Sequence, residues 1–399
     1  MISNRYVFTT VISSLILIGC NKKPVYYDNG TLKCYESSIG LNYYVDEVKG
    51  NVLVVDRDLL SHLIENNGDL EKVCTSNITD MGGQLNADGS GYSIYGLFYK
   101  TNINQSISTW DVSNVTNMRG MFSGSKFNQP IGNWDVSNVT NMANMFSGHL
   151  PIGGQPDDLE RNPFNQYIGE WNVSNVTDMS NMFWASDFNQ YIGDWDVSSV
   201  ESMSRMFGLE FAKSVFNQPI GKWDVSNVTN MRAMFAGTPF NHDISNWNVA
   251  KVTNMAWMFA GTQFNQSLDS WDVSSVEDMS SMFDFSKFNQ IIGNWDVSSV
   301  TDMSRMFTGS PFNRPIGNWD VNSVKNMNMM FAFSEFNQPI GKWGVSSVED
   351  MDMMFMYSEN FSQTINKWCV TKIKKEPSLF SLGAPLRASN KPRWGTCPF

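Results

Sequence analysis

The amino-acid sequence predicts a repeat solenoid of mixed α+β structure, with short parallel strands and one helical turn in each 24-residue unit and a cap at each end. Three observations predict it. The first is a tryptophan column: Trp110, Trp134, Trp171, Trp195, Trp223, Trp247, Trp271, Trp295, Trp319, Trp343 and Trp368 are separated by 24, 37, 24, 28, 24, 24, 24, 24, 24 and 25 residues. A period of this length marks coils that each cover the apolar face of the last. The second is methionine placement: 20 of the 25 methionines fall in two columns of the repeat, which is a packing pattern. The third is composition. Only 17% of residues are charged, and evenly spaced aromatics argue against disorder.

One unit, Phe127 to Phe146, reads FNQPIGNWDVSNVTNMANMF. Extended backbone is expected from Ile131 to Val139, with Trp134 and Val136 two apart on one face. Met142, Met145 and Phe146 stand at i, i+3, i+4, the spacing of one helical turn, with Thr140 as N-cap and Thr116 and Thr177 in the same role elsewhere. Gly132 suits a bend. Parallel pairing of eleven coils at about 4.8 Å gives a rod of roughly 50 Å. Trp134, Trp195 and Trp271 then form a buried structural ladder with the Val, Met and Phe columns.

The Asn of Phe-Asn-Gln recurs ten times, as at Asn128, Asn189 and Asn265. An inward Asn can hydrogen-bond the backbone of the neighbouring coil. A repeated glycan or ion site is the sharper alternative. The position after Trp holds Asp111, Asp135, Asp196, Asp224, Asp272, Asp296 and Asp320 but also Asn172, Asn248 and Gly344, which fits turn capping better than calcium.

The predicted organisation is a signal segment at 1–19, an anchor, linker and N-terminal cap at 20–73, repeats at 74–368 and a C-terminal cap at 369–399. Residues 74–109 form a degenerate first coil carrying an insertion from Asn86 to Gly91. In the cap, Asp28-Asn29-Gly30 signals a hairpin, Val52 to Val55 a strand, and Asp58 to Asn66 a helix with Leu59, Leu60 and Leu63 at helical spacing.

The first twenty residues have a positive start and an apolar core from Val7 to Ile18, the form of a secretory signal and too short to span a membrane. They end Leu17-Ile18-Gly19-Cys20, which resembles the lipobox of bacterial lipoproteins. That resemblance implies lipid on Cys20 as the mature N-terminus, at the cell membrane or outer membrane. The plainer reading is an ordinary signal peptide with a chance cysteine. Cleavage removes one Arg, so 27 basic residues face 39 acidic ones and the charge moves from −11 to −12. This charge disfavours nucleic acid and anionic lipid surfaces. In an oxidising compartment the remaining cysteines, Cys34, Cys74, Cys369 and Cys397, allow three connectivities. Only Cys34–Cys74 with Cys369–Cys397 needs no contact between the ends of a long array.

The unit WDVSNVTNMxxMF…FNQPI is similar to the repeat of BspA-type leucine-rich-repeat surface proteins, also described as the mycoplasma-type lipoprotein repeat. The likeness spans about Thr75 to Cys397. It implies a leucine-rich-repeat-like, right-handed coil stack on the bacterial surface, adhesion or partner binding, and neither catalytic residues nor a cofactor. Met, Trp and Phe stand here where other branches place Leu and Ile.

The sequence offers little for catalysis. Its three histidines, His62, His149 and His242, lie in different units, and no GxSxG or phosphate loop is present. No metal site is expected. The expected role is a non-catalytic binding or adhesion surface for an extracellular protein or glycan, with a passive envelope element as the alternative. Function is expected where packing leaves freedom. The insertions around Gly148–Pro163 and Gly208–Val215 both fall between Met-Phe and Phe-Asn-Gln, on one edge. The column three past the second core Met is mostly Gly or Ala but becomes Phe285, Phe333 and Tyr357, and the small or polar column between the Mets holds Trp257, Met329 and Met353. These six are candidate partner contacts. The opposing expectation is that they fold over the stack and bury one another.

Overall fold

The structure, a computed structural model, describes residues 24–28, 30–83, 96–151, 155–209 and 213–398. The signal segment, Cys20 and the insertion from Asn86 to Gly91 lie outside them. A small cap precedes the repeats. Strands β1 (Val25–Asp28) and β2 (Thr31–Cys34) form an antiparallel hairpin whose turn includes Gly30 at a φ of 89°. Strands β3 (Asn42–Val45) and β4 (Gly50–Val54) pair antiparallel, and β4 pairs parallel with β5 (Val73–Cys74) at the entrance to the first coil. Helix α1 (Arg57–Glu65) is capped by Asp56, whose carboxylate accepts the Leu59 N–H at 2.9 Å. Its buried face centres on Leu60 and Ile64, which join the core of the repeats, with Leu59 and Leu63 packed at its flanks.

Further contacts fasten the cap to the repeats. The Leu32 N–H donates to the Thr109 carbonyl at 2.7 Å. Lys33 pairs with buried Asp111 at 2.6 Å, and Ser76 and Ser113 also donate to that carboxylate. Burial pushes the Asp111 pKa up, but the bonds from Lys33, Ser76 and Ser113 outweigh it and leave the group below its ordinary value. The disulfides are Cys34–Cys74 and Cys369–Cys397.

The repeats stack one upon the next. Single parallel bridges link Asp80, Asn117, Asn141, Asp178, Ser202, Asn230, Asn254, Asp278, Asp302, Asn326 and Asp350 in succession. The Trp, Val, Met and Phe columns make one continuous buried cluster. Each indole N–H donates to a carbonyl in the preceding coil, as Trp134 to Ile107 at 3.2 Å and Trp295 to Leu268 at 3.0 Å, so a large buried ring keeps its polar atom satisfied.

The expected helical turn is absent. The stretch from Met118 to Ser125 is a run of tight turns in which alternate N–H groups point along the stack. Met121 and Ser125 donate back to Met118 and Phe122, whereas Met118, Gly120, Phe122 and Gly124 donate to Asn141, Ala143, Met145 and Ser147 of the next coil. The i, i+3, i+4 spacing therefore marks turn-bound inward positions, a pattern one helical turn would share. Thr116, Thr140 and Thr177 are not N-caps: their hydroxyls donate to the carbonyls of Thr79, Thr116 and Thr140 at 3.2 Å. The expected strand from Ile131 to Val139 is also absent, because turns closed by Trp134 N–H to Ile131 and Val139 N–H to Val136 interrupt it.

Coil spacing explains why parallel pairing fails there. Successive Trp rings lie 6.4–6.5 Å apart and nearly parallel, too far for a hydrogen-bonded ladder. Successive Phe rings such as Phe283, Phe307 and Phe331 lie 5.8 Å apart. At the bridged edge, backbone hydrogen bonds require about 4.8 Å. The coils therefore fan open toward the tryptophans, and the bridged edge is concave. Gly132, Gly193, Gly293, Gly317 and Gly341 serve this stacking too, since a Cβ on any of them would fall 2.5–2.7 Å from a carbonyl oxygen of the next coil.

The Asn column runs coil to coil, but along the surface and not inward. Asn128 Oδ1 accepts the Asn165 N–H at 3.0 Å, and Asn265 Oδ1 accepts the Asn289 N–H at 2.9 Å. Gln166 and Gln290 reinforce those rungs. The inside is filled by Phe and Ile, and the amide bonds at the rim where a half-exposed backbone needs a partner. At the C-terminal end, Ser378, Phe380 and Leu382 accept from Met353, Phe355 and Tyr357, so the closing segment adds one more edge to the ladder.

Candidate functional site

The concave edge carries two turns per coil. In the regular coils each is closed by an i→i+3 bond and places its third residue at positive φ, the requirement of a type II turn; at Gly148, where the first insertion begins, the second turn does not form. That requirement favours Gly and Asn, and Gly120, Asn144 and Asn181 meet it in the first column, Gly124, Gly237, Gly261 and Gly309 in the second. All six candidate contacts occupy these same positions: Trp257 (φ 63°), Met329 (54°) and Met353 (56°) in the first, Phe285 (50°), Phe333 (57°) and Tyr357 (53°) in the second. A bulky side chain there costs roughly 1–2 kcal/mol relative to glycine. The conformation is imposed by the ladder, since each of their N–H groups donates to the next coil at 2.6–2.9 Å.

Three of the six stand out into solvent: Phe285 is 59% exposed, Phe333 46% and Tyr357 46%. Trp257, Met329 and Met353 are half-buried. The rings lean along the stack and remain about half-exposed. Phe285 lies across Gly309, Phe333 stacks on Tyr357 at 5.3 Å, and Tyr357 lies against Gly383. Leu379 and Leu382 extend the apolar strip, and Glu335, Glu359 and Asn360 border a cleft beside Phe333 and Tyr357. Beneath Phe285, Arg305 bonds buried Asp284 at 3.0 Å, leaving Asp284 Oδ1 without a partner among the described residues. Burial raises the Asp284 pKa, and the Arg305 charge opposes the rise.

The first large insertion is tied down by residues the sequence reasoning passed over. His149 and Glu160 exchange both backbone bonds at 2.8 Å, and Asn162, fully buried, donates to the Phe122 carbonyl at 2.7 Å. Arg161 pairs with Asp187 at 2.6 Å and donates to the Lys213 carbonyl at 3.1 Å, joining the two insertions.

A cleft of about 500 Å³ opens on the concave edge near these insertions, lined by Asn144, Asn181, Trp184, Arg205, Arg232 and Trp257. A signal for it existed: eleven of the 14 tryptophans fill the core column, and of the remaining three, Trp184, Trp257 and Trp394, two line this cleft. A larger cleft of about 660 Å³, on the edge bearing the Pro-Ile-Gly segments, is walled mainly by Gly293, Gly317, Gly341, Pro315 and Pro339, which gives it shape but little chemistry. No group of His, Cys, Asp and Glu able to hold a metal occurs among the described residues.

The family described as Mycoplasma protein of unknown function, DUF285, matches residues 92–210, 157–237, 209–310 and 284–391, which together run across most of the chain. The chain belongs to this family. The overlapping DUF285 segments follow the same repeats that stack in the structure. No curated protein and no solved structure is detectably similar to the chain.

Proposed function

We propose that this DUF285 protein is a lipid-anchored surface lipoprotein whose repeats form a leucine-rich-repeat-like, right-handed solenoid, used as a non-catalytic binding surface for extracellular protein or glycan partners. The observation that carries the binding role is the strip of Phe285, Phe333 and Tyr357. Glycine serves the same backbone at neighbouring coils, so packing does not call for these rings, and they remain exposed. Large exposed apolar side chains on a concave surface mark contacts. The N-terminal segment ending Gly19-Cys20 supports anchorage.

The two halves of this reading are tested separately. In the full chain, Cys20→Ser is expected to release the protein from the membrane fraction, and continued retention contradicts the anchor. The double substitution Phe333→Ser with Tyr357→Ser is expected to abolish saturable binding to host matrix or cells while leaving the unfolding midpoint nearly unchanged. Lost stability with unchanged binding contradicts the contact strip.

A further inference from the structure

We infer that the cleft between Trp184 and Trp257 is a binding site for an acidic oligosaccharide, a chain of sugar rings bearing carboxylates. The inference rests on the reading of the stack as a binding surface, but neither on its anchorage nor on the Phe333–Tyr357 strip. Two independent features converge on the cleft. The first is backbone cost. Arg205 (φ 54°) and Trp257 (φ 63°) are large residues at left-handed positions that Asn144 and Asn181 fill at φ of 59° and 56°. Both line the one cleft. Where bulky residues persist in that conformation, function is the reason to look for. The second is composition. In a chain of net charge −11, Arg205 and Arg232 stand on neighbouring coils, and Arg232 has no carboxylate partner among the described residues.

The chemistry selects the ligand. A guanidinium presents a planar fork that matches a carboxylate. Indole faces suit the apolar face of a sugar ring and cost little conformational entropy. The amides of Asn144 and Asn181 can both donate to and accept from hydroxyls. From Asn144 to Trp257 the cleft crosses four coil steps, roughly 19 Å at 4.8 Å each, the length of a short oligosaccharide. Leu150, from the first insertion, forms part of one wall.

The test uses the detergent-solubilised full chain and calorimetric titration with a hyaluronan tetrasaccharide, whose alternate rings carry carboxylates. Saturable binding is expected, with neutral chitotetraose weaker by at least about tenfold, the value of a charged hydrogen bond. Arg232→Ala is expected to weaken hyaluronan binding by a similar factor. Trp257→Asn, which copies the residue at 144 and 181, is expected to weaken it without lowering the unfolding midpoint. The Phe333→Ser, Tyr357→Ser double variant is expected to bind as the parent does, so loss of the strip's function and loss of this site are distinguishable. Absence of hyaluronan binding, equal binding of chitotetraose, tighter binding of a tetraglutamate peptide, or unchanged binding in both Arg232→Ala and Trp257→Asn overturns the inference.

Discussion

At the wide edge of each coil, Trp271 and the rest of its column are buried, stacked at 6.4–6.5 Å where neighbours are in contact, and bonded to the preceding coil through the indole N–H. At the narrow edge, Trp257 stands in a left-handed turn, half-buried, where other coils place Ala233, Ser281 or Asn181. The same residue type plays opposite parts fourteen positions apart. The difference teaches that invariance in this repeat reports packing, and that departures at positive φ report something packing does not require.

The comparison is first put at risk by removing a core ring. Trp271→Ala is expected to cost about 3–5 kcal/mol, because it leaves a large cavity and removes one of the two donors to the Ile244 carbonyl, which keeps the Trp247 N–H. A loss under about 1 kcal/mol in denaturant unfolding makes the column a surface feature. A smaller effect is expected at the rim. Asn265→Ala deprives the Asn289 N–H of its acceptor, while the Gln290 amide keeps the Asn265 backbone carbonyl, at a cost of about 1 kcal/mol since water reaches the freed group. A loss as large as that of Trp271→Ala returns the Asn ladder to the interior.

The smallest effect is electrostatic and sharpens the account of the narrow edge. Burial raises the folded-state pKa of Asp284 above its unfolded value. The folded protein therefore holds that proton more tightly, and stability declines as pH rises from the ordinary carboxylate range through the raised value. Asp284→Asn is expected to remove this component of the pH slope. An identical slope in the variant shows that the Arg305 pairing fully offsets burial.

Much of this was legible in the sequence. The 24-residue period, the core columns, both disulfides, the hairpin at Gly30 and, within one residue at each end, the cap helix expected over Asp58 to Asn66 and found at Arg57–Glu65 follow from spacing and turn chemistry. The helical turn was misread because Met142, Met145 and Phe146 point inward at intervals that a helix and a run of tight turns share. The strand at Ile131–Val139 was misread because coil spacing at the Trp edge, a property of the whole stack, sets whether extended segments can pair. The six candidate contacts were identified as departures from their columns, but the physical reason for those departures, positive φ, is visible only in the backbone. Arg205, Arg232 and Trp184 were passed over because their convergence with Trp257 runs along the stack, four coil steps from Asn144, and no single repeat contains it.

The central claim, that the rings at left-handed positions are not required by the fold, is tested most directly by Phe285→Gly, which gives this coil the residue its neighbour has at Gly309. Relief of the backbone cost and loss of partial ring burial nearly cancel, so the unfolding free energy is expected to stay within about 1 kcal/mol of the parent. A loss of about 3 kcal/mol or more, the magnitude of a core truncation, contradicts the claim and makes the exposed strip part of the packing.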